Sequence, residues 1–194
     1  NEKGIFIGAH IDRIHGVYDD RFSPENVTEE EFVRIADKDF PVLNDQKGEI
    51  MKNEILDARK SGDSVGGVIE CAVVGFPAGI GEPMFDGIEN IISRAVFAIP
   101  AVKGIEFGNG FACTELFGSE NNDNFIVENG KIRTQTNNHG GILGGISSGM
   151  PIIFRLAVKP TPSIAKPQKT VNLKTMEEET LEIKGRHDPC IVPR

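Results

Sequence analysis

A heptapeptide near the end of the chain, Lys184-Gly-Arg-His-Asp-Pro-Cys190, concentrates residue types that carry out chemistry. Arg186 offers a planar fork of N–H donors suited to a phosphate or carboxylate, and Asp188 is a potential proton acceptor two residues away. Taken alone, a glycine, charged residues and a proline are more typical of a surface turn. Two interpretations therefore stand at this point, a charged turn or an arginine and acid pair for charge and proton work.

A second segment of interest follows an apolar run, where Lys159, Pro160, Thr161, Pro162 and Ser163 stand in succession. The two prolines stiffen a stretch that carries one ammonium group and two hydroxyls, which suits a phosphate monoester. The alternative is an ordinary polar exit from a strand, and local sequence favours that alternative.

The third segment, residues 140–149, contains five glycines and two serines. Glycine has no Cβ, so the backbone N–H groups there are able to approach a planar ring or a phosphate closely. The spacing is not that of a dinucleotide-binding fingerprint, and a tight glycine bend against a neighbouring strand is an equally good interpretation. Two further glycine-rich stretches, residues 62–67 and 75–83, are explained by turn geometry.

Bulk properties narrow the class of protein. The chain has 194 residues, 39% hydrophobic and 26% charged, which is ordinary for one globular domain. A net charge of −8 argues against a nucleic-acid-binding surface. Three widely spaced cysteines and four histidines without ligand spacing indicate neither a disulfide framework nor a metal site and fit a reducing cytoplasm. No leader peptide or membrane-spanning run is evident, so we expect a soluble protein.

The elements that must position these segments follow from periodicity and turn residues. Helices are expected after a capping box at Thr28 and Glu31, over residues 45–60, and from Ile88 to a stop at Pro100. Strands are expected over residues 4–10, 65–75, 102–107, 125–127, 132–134, 151–158 and 180–183. The Asn129-Gly130 pair predicts a hairpin between the fourth and fifth of these. This mixture of helices and antiparallel strands predicts an α+β fold.

Seven blocks that span residues 62–190 in order resemble the chorismate synthase family. They are GDSVGG (62–67), GFPAGIGEPMFD (75–86), AVKGIEFGNGF (101–111), GSENND (118–123), NNHGGILGGISSGMPI (137–152), KPTPSI (159–164) and KGRHDPC (184–190). The resemblance implies an α+β sandwich in which helices pack between antiparallel sheets, and a homotetramer. It further implies a cytoplasmic enzyme of aromatic amino acid biosynthesis that does not bind nucleic acid or membranes.

The activity implied by the resemblance is a lyase reaction, the conversion of 5-enolpyruvylshikimate 3-phosphate to chorismate and phosphate. Reduced FMN is required although the reaction has no net redox change. The resemblance assigns the protein the tasks of positioning, electrostatics and exclusion of water. Whether NADPH reduces the flavin on the same protein stays open.

Site residues are carried over from the resemblance position by position. The segment from Lys159 to Ser163, including Pro160, Thr161 and Pro162, matches the segment that holds the flavin phosphate. Gly144 matches a glycine beside the cofactor, and Pro100 and Ala101 match a backbone contact to it. Arg186 matches an arginine near flavin and substrate, and Asp188 an acid that manages a proton at the flavin.

The family's early blocks, a GESHG-like segment and arginine-rich and histidine-bearing segments, have no counterpart in this chain. Relatives also continue beyond the position of Arg194. We therefore expect residues 1–194 to form a single chorismate synthase domain that is incomplete at both ends. The alternative is a fragment that binds phosphoflavin or supports oligomerisation without catalysis.

Overall fold

The protein is built around a five-stranded antiparallel sheet in the order β2-β1-β3-β9-β4. The computed structural model describes residues 4–185 and 187–193. In chain order the strands are β1 (Phe6–Ile14), β2 (Val17–Tyr18), β3 (Gly67–Val74), β4 (Val102–Phe107), β5 (Phe125–Glu128), β6 (Lys131–Thr134), β7 (Ile142–Leu143), β8 (Ile146–Ser147), β9 (Ile152–Val158), β10 (Gln168–Asn172) and β11 (Glu177–Leu181). The α-helices are α1 (Glu29–Ala36), α2 (Asp45–Lys60), α3 (Ile88–Val96) and α4 (Gly118–Asn121), with 3₁₀ turns at Met84–Asp86 and Gly110–Glu115. The predicted α+β class, with helices and antiparallel sheets, is confirmed.

The two faces of the sheet bury different clusters because side chains alternate along each strand. On one face the cross-strand pair Ala72 and Ile153 packs against Phe32 of α1 and forms the smaller cluster. On the other face Phe154, paired with Cys71, belongs to the larger cluster, which also contains Val96 of α3. Both faces of the sheet are therefore covered in part by helices.

Helix α1 begins at the predicted capping box and α2 has the predicted bounds, because their caps are encoded locally. The Thr28 side chain accepts from the Glu31 N–H, and the Glu31 carboxylate accepts from the Thr28 N–H. Asn44 caps α2 by accepting from two N–H groups of its first turn. Gly62, with φ of +70°, follows the C-cap of α2.

Helix α3 is shorter than its periodicity predicts. Apolar spacing continues to Ile99, but the helix ends at Val96 and a turn of residues 97–100 follows. Ile88 and Val96 are buried, whereas Ile91 is 57% exposed. The prediction that this helix faces a core is thus correct for one side, and its other apolar side is uncovered within the described residues.

The β5–β6 and β10–β11 hairpins lie outside the main sheet, and the sequence predicted the first but only one strand of the second. Asn129 and Gly130 have φ values of 52° and 74°, as a type I′ turn requires, so the predicted hairpin of β5 and β6 is confirmed. The strand expected over residues 180–183 lies instead at Glu177–Leu181, where it pairs with β10. No strand was predicted at β10, because its residues are mostly polar and exposed and lack an apolar alternation.

Within residues 4–185 and 187–193, no helix has the length and apolar character needed to cross a membrane.

Candidate functional site

Three strand ends meet at one edge of the main sheet. Val158, the last residue of β9, pairs with Val102 at the start of β4 and with Gly67 at the start of β3. Lys159, which follows Val158, donates its backbone N–H to the Ala101 carbonyl at 3.0 Å. Antiparallel pairing therefore brings together Ala101 and Lys159, 58 positions apart in sequence, and Gly67 and Val158, 91 positions apart.

The predicted phosphate-binding segment leaves the sheet at this edge. Lys159, Pro160, Pro162 and Ser163 are exposed, whereas Thr161 is half-buried. The Thr161 Oγ1 atom is buried and has no hydrogen-bond partner among the described residues. A buried hydroxyl without a partner costs about 1–3 kcal/mol, so a ligand oxygen that bonds to it recovers that cost.

Pro100 and Ala101 lie on the other side of the same edge, between α3 and β4. Pro100 is exposed and Ala101 is half-buried. Ala101 has φ of +70°, a left-handed conformation that costs a residue with a Cβ about 1 kcal/mol or more. The strained turn is held by the bond from Lys159 N–H, so the backbone predicted to contact a cofactor is fixed in an uncommon conformation.

The end of the 184–190 segment and the residues that follow it contact the same edge. The Val65 N–H donates to the Pro189 carbonyl at 2.8 Å, and Cys190 and Val192 are buried in the larger cluster. Asp188, one residue before Pro189, is half-buried. Arg186 lies outside the described residues, so its assignment stays a prediction.

Gly144 lies away from this edge. It is at the tip of the β7–β8 hairpin, and the next residue, Gly145, accepts from the Ile88 N–H at the start of α3 at 2.9 Å. Pro100 and Ala101 follow the other end of α3, and nine helical residues span about 13 Å. The structure thus brings together the residues predicted at 100–101, 159–163 and 188, but not Gly144, whose proposed role is untested.

A row of charged side chains, buried except for the half-buried Glu106, crosses four strands of the sheet, and sequence analysis did not find it. His10, Glu70, Arg155 and Glu106 are successive cross-strand neighbours on β1, β3, β9 and β4. Their charges alternate, and the contacts are 2.9 Å from His10 Nε2 to Glu70 Oε2, 3.4 Å from Arg155 Nη1 to Glu70 Oε1 and 2.7 Å from Arg155 Nε to Glu106 Oε1. An ionisable residue in the middle of an apolar strand, as at Glu70 and Arg155, was the available signal.

Residues of the charged row also form hydrogen bonds with the loop segments around residues 19–22 and, through Asp19, 43–44. Asp19 contacts His10 Nδ1 at 3.2 Å and accepts from the Leu43 and Asn44 N–H groups, and Glu70 accepts from the Phe22 N–H at 2.9 Å. Burial by itself lowers the pKa of His10, but the hydrogen bonds and negative charges of Asp19 and Glu70 outweigh burial and raise this pKa to about 9. His10 is therefore a cation at neutral pH.

Where the structure describes them, the remaining histidines and carboxylates do not form a metal site. Across the described residues, no group of three histidine, cysteine, aspartate or glutamate side chains is placed to hold a metal ion. His139, to which the sequence assigns no catalytic role, accepts from the Gly141 N–H through Nδ1 at 2.9 Å, and burial lowers its pKa.

The chain is an α+β protein with an antiparallel sheet. Its candidate site is formed by loops at the strand ends that are distant in sequence. Comparison with known proteins makes the relationship specific. The sequence model of the family described as "Chorismate synthase" matches residues 1–194, and the chain belongs to this family.

Individual relatives agree with the family match. The chain is 59% identical over 140 residues, 72% of its length, to "Chorismate synthase" of Dehalococcoides mccartyi strain BAV1, and covers 38% of that protein. It is 49% identical over 98% of its length to the Methanothermobacter thermautotrophicus protein of the same name, covering 50% of it. A solved structure titled "Crystal Structure of Chorismate Synthase" has a TM-score of 0.75 and 32% identity, and the match covers 84% of this chain and 51% of that one. The chain thus spans about half the length, or less, of these relatives.

Proposed function

We propose that this chain provides part of the active site of a chorismate synthase, which converts 5-enolpyruvylshikimate 3-phosphate to chorismate and phosphate with reduced FMN. The observation that carries the proposal is the convergence of residues 100–101, 159–163 and 188–189 at one sheet edge. Family membership and relatives named for this activity support it. The reduced flavin, when bound, supplies the electron that assists loss of phosphate.

The chain's own residues fit a phosphorylated flavin. Lys159 is exposed and, within the described part of the chain, takes part in no ion pair, so its ammonium group is available to a phosphate. The buried Thr161 hydroxyl lacks a partner, and a phosphate oxygen is a strong acceptor for it. The strained Ala101 backbone lies on the opposite side of the edge. We infer that these groups bind and orient the cofactor.

Asp188 is proposed to hold and move a proton at the flavin. It is half-buried next to Pro189, whose carbonyl is tied to the same edge by Val65. We infer that this carboxylate acts at a ligand held by the 159–163 segment, with Arg186 as the proposed charge partner.

The finer properties of the enzyme belong to the same proposal. We infer a lyase acting on a carbon–oxygen bond to phosphate, a cytoplasmic location and a homotetrameric assembly. Three unpaired cysteines support the reducing compartment. Exposed large apolar side chains support contacts with further polypeptide, the most exposed being Phe85, Leu173, Met176, Phe111, Phe117 and Val127.

The test uses the longest form in which the protein is expressed, titrated anaerobically with reduced FMN in the presence and absence of 5-enolpyruvylshikimate 3-phosphate. Flavin absorbance reports binding, and released chorismate reports turnover. Lys159→Ala should weaken FMN binding by about 2 kcal/mol, or roughly 30-fold, as loss of a charge-assisted contact does. Lys169→Ala, which removes an exposed lysine of β10, is the matched control and should bind normally.

Each result has a defined meaning. Binding with turnover supports the enzyme, and binding without turnover supports the alternative of a phosphoflavin-binding module. Failure to bind FMN, or equal affinity of Lys159→Ala and the wild type, contradicts the assignment of the 159–163 segment.

A further inference from the structure

The loop that joins α2 to β3, residues 62–66, contacts two predicted site segments at once. The Ser64 hydroxyl donates to the Thr161 carbonyl at 2.6 Å. The next residue, Val65, donates its N–H to the Pro189 carbonyl at 2.8 Å. Two adjacent residues therefore fix the backbones of segments that are 28 positions apart in sequence, and any displacement of the 62–66 loop changes both.

The 62–66 loop is itself held firmly. The Asp63 carboxylate pairs with the Lys166 ammonium at 2.8 Å, the Gly62 carbonyl accepts from the Lys166 N–H at 3.2 Å, and the Asp63 N–H donates to the Ala58 carbonyl in α2 at 2.9 Å. At Gly66 an added Cβ would lie 2.4 Å from the Val158 carbonyl oxygen. The loop is thus a rigid support, packed directly against the backbone at the end of β9.

The bond from Ser64 acts on the backbone of Thr161 and leaves the Thr161 side chain free for another role. Thr161 Oγ1 is buried and lacks a partner among the described residues, although the carbonyl of the same residue has one. Fixing the carbonyl sets the plane of the Thr161–Pro162 peptide, and with it the direction of the neighbouring side chains. Proline at 160 and 162 limits the other ways in which the segment can move.

We propose that Ser64 is a positioning residue for cofactor phosphate recognition: its bond to the Thr161 carbonyl, together with the Val65 bond to Pro189, holds the 159–163 segment and the Asp188 segment in register. The inference rests on the proposed function, since it presumes that the 159–163 segment binds the phosphate of FMN. Ser64 itself touches backbone, not the cofactor. Its influence on binding is indirect.

The experiment compares FMN with riboflavin, which has the same ring system but no phosphate. Dissociation constants for both reduced flavins are measured in the longest expressed form of the protein for the wild type, Ser64→Ala and Ser64→Thr. Ser61→Ala is the matched control, because the Ser61 hydroxyl also donates to a backbone carbonyl, that of Ala58 at 2.9 Å, without contacting either site segment.

We expect Ser64→Ala to bind FMN about tenfold more weakly while its affinity for riboflavin changes less than about twofold, since only the phosphate segment loses its support. Ser64→Thr, which keeps a hydroxyl, should restore FMN affinity to within about threefold. Ser61→Ala should bind both flavins as the wild type does. A purely structural role for Ser64 would weaken FMN and riboflavin equally, and that result overturns the inference, as does wild-type FMN affinity of Ser64→Ala.

Two further outcomes distinguish failure of the proposed phosphate site from failure of the role proposed for Ser64. If the wild type binds FMN no more tightly than riboflavin, the proposed phosphate site itself is wrong. If Ser64→Ala does not fold, Ser64→Cys, whose thiol is a weaker donor, takes its place, and an unchanged preference for FMN over riboflavin in that variant contradicts the positioning role.

Discussion

The buried histidine predicts that the protein loses stability as the pH rises above neutrality. His10 has a pKa near 6.5 when unfolded and about 9 in the folded protein. Between these values the folded state binds one proton more than the unfolded state, so the free energy of unfolding falls as pH rises. The contribution is fully present below pH 6.5 and is lost as the pH passes through 9.

The size of the His10 contribution to the free energy of unfolding follows from the shift in its pKa. A rise from 6.5 to about 9 corresponds to about 3 kcal/mol at ~1.36 kcal/mol per pKa unit. Between pH 6.5 and 8.5 the free energy of unfolding should therefore fall by about 2 kcal/mol. Burial also raises the pKa of Cys71, to about 12, and a thiol kept protonated in the fold lowers stability in the same direction above pH 9. In the window between pH 6.5 and 8.5 the contribution of His10 is the largest, because the thiols act at higher pH and His139, whose pKa burial lowers, acts mainly at lower pH.

The assay is urea unfolding followed by far-ultraviolet circular dichroism, since the chain has no tryptophan and one tyrosine. Protein concentration is kept constant across the pH series. His10→Gln, which has no titrating ring, should be less stable than the wild type at pH 6 by about 3 kcal/mol and should show a nearly flat profile to pH 8.5. Cys71→Ala is the control and should keep the wild-type slope in this window.

A wild-type free energy of unfolding that changes by less than about 0.5 kcal/mol between pH 6.5 and 8.5 would refute the reasoning. So would a His10→Gln profile as steep as that of the wild type. If His10→Gln does not fold, the pKa of the His10 ring, measured by NMR in the wild type, decides the matter: a value below 7 contradicts the charged row.

Two other predictions concern the sheet edge. Asp188→Asn should leave reduced FMN binding within about threefold of the wild type and lower turnover by about two orders of magnitude or more, as loss of a general acid or base does; unchanged turnover would remove Asp188 from the mechanism. Ala101→Gly should raise the free energy of unfolding by about 1 kcal/mol, because glycine relieves the strain at φ of +70°. Ala98→Gly, in the preceding turn, is the control and should not stabilise; thermal unfolding that shows no gain for Ala101→Gly contradicts the strain.

The sequence alone predicted those elements whose signals are local. The capping box at Thr28, the Gly62 stop signal after α2 and the Asn129-Gly130 turn act within a few residues, so they can be read without knowing the fold. The residue types of the 159–163 segment, a lysine and two hydroxyls stiffened by prolines, could also be read locally. Local sequence favoured a polar strand exit, and the phosphate-binding role came from the family resemblance and stays a prediction. Helix α3 was predicted too long, since periodicity does not show where packing ends.

What the tertiary structure decided is which distant residues meet. Strand register places Ala101, Lys159 and the 62–66 loop at one edge, and no local pattern encodes pairing between strands so far apart in sequence. The same register aligns His10, Glu70, Arg155 and the half-buried Glu106 into a charged row whose members look unrelated in the sequence. The role proposed for Ser64 also depends on the tertiary structure, because only the fold shows that its hydroxyl donates to the Thr161 carbonyl.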